Sequence, residues 1–95
     1  MKKVFLDKLW DGTKIYIVDG FDLRHHHTEF ELGGHGFVYD YIPKNEIWVE
    51  DMKNVEDRRK NLAHEIFEYT LMKYGKAGYE TAHKCALSME AAIRK

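Results

Sequence analysis

Cysteine is almost missing from this chain: Cys85 is the only one among 95 residues, so no internal disulfide can form and no paired-cysteine metal site exists. Long apolar runs and a signal-peptide pattern are lacking as well. Together these absences lead us to expect a cytoplasmic protein in a reducing setting, with no segment that enters a membrane. Neither sign of charge dominates. Fifteen Lys and Arg stand against sixteen Asp and Glu, for a net formal charge of -1, which removes the basic footprint of a nucleic-acid binder or of a protein held on anionic lipid. No glycine loop of the phosphate-cradling kind occurs, which argues against phosphodiester chemistry. Repeats, low-complexity tracts and linker-like stretches are absent too, so residues 1–95 are expected to form one domain.

What is present is the composition of a globular domain with a core: 44% hydrophobic, 33% charged and 14% aromatic residues. The first half reads as β. Val4 to Trp10 and Lys14 to Asp19 are rich in branched and aromatic residues around Asp11-Gly12-Thr13, which predicts a hairpin. After Gly20 come Arg24-His25-His26-His27, then Glu29 to Leu32, the glycines Gly33, Gly34 and Gly36 around His35, and an apolar stretch from Phe37 to Ile42. Pro43-Lys44-Asn45 turns the chain, and Glu46 to Glu50 is a short strand.

From Asn54 the pattern becomes helical, with Asn54 as N-cap and Asp57 where a capping box places its acid. A helix is expected to about Tyr74. Leu62, Ile66 and Tyr69, and on the adjoining face Ala63, Phe67 and Leu71, recur at spacings of three and four as packing positions, and Gly75 supplies the stop. A second helix from about Tyr79 carries Ala82, Ala86, Met89 and Ile93 on one stripe, and the short Gly75 to Gly78 link makes the two helices antiparallel neighbours. The fold class read from the sequence is therefore α+β: N-terminal antiparallel hairpins or a curled sheet, packed on a C-terminal antiparallel helix pair.

The chemistry is concentrated in His64-Glu65-Ile66-Phe67-Glu68. On a helix His64 and Glu68 share a face and could grip one cation, while Glu65 points one position round, toward a water on the metal. A third ligand has to come from elsewhere. His83 stands just past the helix link, at the border of the Ala82 and Ala86 stripe, and Glu90 lies two turns on along the same face. Two imidazoles and a carboxylate suit zinc with an open position for water; they also suit non-haem iron. An anionic Glu68 in place of a neutral imidazole moderates the Lewis acidity of the metal.

With these residues the segment from about Glu46 to Glu90 resembles the minimal zincin-like metallopeptidases, including small phage-associated ones. The strand at Glu46 to Glu50, the charged Glu56-Asp57-Arg58-Arg59 and then Asn61-Leu62-Ala63-His64-Glu65 match the way such families enter their active helix. Tyr79-Glu80-Thr81-Ala82-His83 and Glu90 resemble the second-helix element. The resemblance implies a zincin-like fold, zinc as cofactor, His64, Glu68 and His83 as metal ligands, Glu90 either as a residue that supports a ligand without touching the metal or as an alternative metal ligand, and Glu65 as general base for hydrolysis of peptide or amide bonds. It also implies an edge strand that receives extended substrate, which we place at Gly34 to Tyr39. Two departures are visible: Glu68 stands where the standard pattern has a second His, and no large C-terminal lobe follows. The alternative is a non-catalytic, metal-stabilised module that binds a partner protein, with Glu90 closing the coordination shell; a homodimer through a strand edge is compatible with either.

Other residues receive plainer readings. Three consecutive side chains cannot converge on one ion from a strand, so His25, His26 and His27 are expected in an exposed loop. His35 is expected to be an exposed turn residue, with substrate or oxyanion binding as the alternative, Cys85 a core residue, and Trp10 and Trp48 core residues within strands. Arg58, Arg59 and Lys60 are assigned to the solvent side of the first helix.

Overall fold

A computed structural model describes residues 3–28 and 30–93, apart from the side chains at 90, 92 and 93. Two stretches of backbone built from branched and aromatic residues form the first hairpin, β1 (Lys3–Lys8) and β2 (Lys14–Val18), paired antiparallel from Lys3↔Val18 to Lys8↔Lys14. Leu9 N–H donates to the Thr13 carbonyl and Gly12 N–H to the Leu9 carbonyl, which closes the turn before Trp10 can join a strand. Trp10 is 83% exposed and stacks on Tyr74 at 5.4 Å. This corrects its expected place in the core.

A short helix α1 (Gly20–Leu23), the three-residue strand β3 (Gly33–His35) and β4 (Glu46–Glu50) follow. The sheet order is β1-β2-β4-β3. β4 runs antiparallel to β3 but parallel to β2, in register from Lys14↔Glu46 to Val18↔Glu50. The sheet is therefore mixed, which corrects the expectation of antiparallel hairpins alone. The cause is the long crossover over residues 19–45, the length a parallel pair needs; turn signals report only strands that are neighbours in sequence.

Central strand β4 buries Ile47, Trp48 and Val49 in succession, at 0%, 6% and 0% exposure. Consecutive burial of this kind marks a strand covered on both faces. On one face Trp48 meets Val18, Leu23, Phe30 and Ile42; on the other Ile47 and Val49 meet Ile15 and Tyr69 of the helical layer. The expected edge strand at Gly34 to Tyr39 is shortened, because Val38 and Tyr39 N–H both fold back to the His35 carbonyl. A Cβ on Gly36 would stand 2.3 Å from the Pro43 carbonyl oxygen, so the chain turns there against backbone that only a glycine can approach.

Helix α2 (Val55–Lys73) starts where Asn54 Oδ1 accepts the Glu56 and Asp57 N–H groups, the capping expected from the sequence. It ends as Lys76 takes a left-handed φ of 54° and Ala77 N–H reaches back to the Leu71 carbonyl. Helix α3 (Tyr79–Ile93) folds back on α2 and buries Ala82 and Ala86 at 0% exposure. Cys85 is exposed rather than in the core, because it lies beside that stripe rather than on it. Among the described residues no helix is long and apolar enough to cross a membrane.

Candidate metal centre

Helix α2 inverts the usual rule for an amphipathic helix. Its buried residues are His64, Glu65, Glu68 and Tyr69, whereas Leu62, Ala63, Ile66, Phe67 and Leu71 are only half-buried. Of the six positions assigned to packing, Tyr69 alone is fully buried. Burying an imidazole and two carboxylates on one stripe is costly unless each finds a partner, so the stripe must face polar groups.

Those groups come from both sides. Across the helix pair, His83 Nδ1 lies 3.0 Å from Glu68 Oε2, and His64 Nε2 lies 3.4 Å from the same oxygen. The His64 and His83 rings meet edge to face with centroids 5.1 Å apart. From the sheet, His35 Nε2 lies 2.9 Å from the other oxygen, Glu68 Oε1. Burial alone would push the Glu68 carboxyl up, but hydrogen bonds from His35, His64 and His83 hold it at about 2, so it is an anion at neutral pH.

His64, Glu68 and His83 each offer one ligand atom, and these atoms lie within 4.8 Å of one another. A tetrahedral ion with bonds of about 2.0–2.1 Å holds its ligand atoms roughly 3.3–3.4 Å apart, close to the 3.0 and 3.4 Å separations around Glu68 Oε2. The donor set fits a divalent cation. A second group with the same property, His35, Glu65 and Glu68, shares the Glu68 carboxylate. The Glu90 side chain, expected either to support a ligand or to be an alternative one, lies outside the described residues.

Glu65 sits beside this cluster, 7% exposed, against β3. A Cβ on Gly33 would stand 2.9 Å from Glu65 Cγ and 3.1 Å from Asn61 Oδ1, so the glycine lets α2 lie close to the strand. Asn61 Nδ2 donates to the Leu32 carbonyl at 2.5 Å and ties the two together. The cluster opens on a cleft of about 670 Å³ lined by Gly33, Gly34, Tyr39, Glu65 and Tyr79. Burial, then the charges of Glu68, Glu65 and Glu31, push the Tyr79 hydroxyl up; burial does the same for Tyr39. Both phenols stay protonated at neutral pH.

Sequence reasoning missed His35, which is 0% exposed rather than on the surface. The available signal was its setting: glycines on both sides mark a strand that another element approaches closely. His25, His26 and His27 occupy turns after α1, with His25 and His26 exposed and His27 stacked on Tyr41 at 3.7 Å. Arg59 is exposed, whereas Arg58 and Lys60 are half-buried. Set against models of known protein families, curated proteins and solved structures, the chain matches none.

Proposed function

We propose that this chain is a zincin-like, zinc-dependent hydrolase acting on peptide or amide bonds. One observation carries the reading: ligand-type atoms of His64, Glu68 and His83 converge from two helices beside a buried Glu65, at the floor of an open cleft. His64, Glu68 and His83 hold the metal and leave a fourth position for water; Glu90 in that position would close the shell and belongs to the second reading below. When bound, zinc supplies Lewis acidity and lowers the pKa of water toward about 7, less far than with three neutral imidazoles because Glu68 is an anion. Glu65 accepts the proton of the attacking water and delivers it to the leaving amine. β3 is one of the two edge strands of the sheet and Gly33 and Gly34 line the cleft, which supports an extended substrate laid along it. Tyr39 and Tyr79 line the same cleft and supply phenol donors for its carbonyl groups.

The test separates holding the metal from using it. Glu65→Gln keeps zinc and loses hydrolysis of a peptide library; His64→Ala loses both. Equal zinc content in wild type and His64→Ala contradicts the ligand assignment.

A second reading is favoured by the burial of His64 and Glu68, at 8% and 3% exposure: a metal that serves the fold of a protein-binding module. Removal of metal then unfolds the chain rather than only stopping a reaction.

A further inference from the structure

We propose that His35 is the positioning residue for Glu68, fixing which carboxylate oxygen faces His64 and His83. The inference rests on the metal-centre reading above and deepens it. An imidazole at 0% exposure is tolerated only when its ring nitrogens are satisfied. Here both are. The Phe37 backbone N–H donates to Nδ1 at 3.3 Å, and because an amide N–H can only donate, Nδ1 carries no proton. The proton of the neutral ring therefore sits on Nε2, which donates to Glu68 Oε1 at 2.9 Å.

The ring is also fixed in orientation. Phe37 and Tyr69 meet it edge-on at centroid distances of 6.2 and 5.4 Å. Tyr69 is anchored in turn, since its hydroxyl donates to the Lys44 carbonyl at 2.9 Å and lies 3.1 Å from Thr13 Oγ1. The turn that supplies the Phe37 amide is held by Val38 and Tyr39 N–H on the His35 carbonyl. The sheet thus dictates a tautomer, and the tautomer occupies Oε1.

Oε2 is left facing the two other imidazoles, at 3.0 and 3.4 Å. A carboxylate held this way has given up its rotational freedom before any ion arrives, so less of the binding free energy goes into ordering it. Partners of this kind, which touch a ligand residue rather than the metal, typically contribute about 10–100-fold to metal affinity.

Zinc affinity is to be measured by competition with a chromophoric chelator on the full chain, for wild type, His35→Leu, His35→Gln and His35→Asn. Leu fills the space without a donor, Gln returns an amide donor near the Nε2 position, and Asn ends short of it. His35→Leu and His35→Asn are expected to bind about 10–100-fold more weakly than wild type, with His35→Gln recovering most of the loss. The visible absorption of cobalt-loaded protein should change in the same order. Melting without metal is recorded alongside, so that affinity is compared between folded proteins. Should His35→Leu fail to fold, the Gln and Asn pair carries the comparison. Wild-type affinity in the Leu or Asn variant, with only the melting temperature lowered, assigns His35 a purely structural role and overturns the proposal. Absence of zinc binding in wild type overturns the metal reading itself, and that result is visible before any His35 variant is made.

Discussion

His83 Nδ1 lies 3.0 Å from Glu68 Oε2, a contact made across the helix pair by residues fifteen apart in sequence. With the edge-to-face packing of the His64 and His83 rings, it ties α3 to the buried stripe of α2. Because the His83 side chain is 38% exposed, its removal leaves no large cavity. We predict that His83→Ala costs only about 1 kcal/mol of stability, readable in a urea titration, while zinc affinity falls by more than the roughly 10–100-fold typical of residues that only support a ligand.

Glu68→Ala should behave differently. It leaves His35, at 0% exposure, with an unanswered Nε2–H. A buried donor without a partner costs about 1–3 kcal/mol, and the cavity adds to that. Denaturant midpoints for the two alanine variants, measured without metal, are expected to rank His83→Ala above Glu68→Ala.

A pH prediction follows from the far end of the hairpin. Asp11 Oδ2 accepts from Lys73 Nζ at 2.7 Å and from the Tyr74 hydroxyl at 2.5 Å, and the Lys73 ammonium in particular holds the Asp11 carboxyl well below the usual carboxylate range. A carboxyl whose folded pKa is depressed stabilises the fold fully above its unfolded value of about 3.9, and this contribution is lost as pH falls toward the folded value. Glu68, held at about 2, acts with the same sign. Asp11→Asn should therefore be less stable than wild type at pH 7 and lose less stability between about pH 4 and 2, in thermal melts across that range. Parallel curves for the two proteins would contradict the role of the pair.

The two tryptophans offer a contrast in packing. Trp48 is 6% exposed within β4 and Trp10 is 83% exposed on a turn. Truncating a buried large aromatic costs about 3–5 kcal/mol, whereas a surface substitution usually stays within about 0.5 kcal/mol. Trp48→Ala should unfold at much lower denaturant than Trp10→Ala, and Trp10 fluorescence should report solvent quenching in the native state.

These residues also show how far the sequence could be read. Asn54, the α2 periodicity and the short link before Tyr79 are local features, so the helix pair and the meeting of His64, Glu68 and His83 were legible from spacing alone. The β2 and β4 pairing was not, because nothing local encodes which strands meet across a long crossover. His35 failed for the same reason: its burial depends on α2 lying against β3, and a histidine among glycines looks like a turn until that approach is known. Cys85 was misplaced by one position of the helix stripe, and Trp10 by a strand end set two residues too late on a strand that is exposed throughout, errors to which a stripe border and a hairpin end are most prone.

The central claim is that one divalent ion is shared by side chains of α2 and α3. Crystals soaked in zinc and measured at its absorption edge test this most directly. The account predicts one anomalous peak per chain, at about 2.0–2.2 Å from His64 Nε2, Glu68 Oε2 and His83 Nδ1. A peak confined to the His25 to His27 turn, or none at all in protein that binds no zinc in solution, would contradict it.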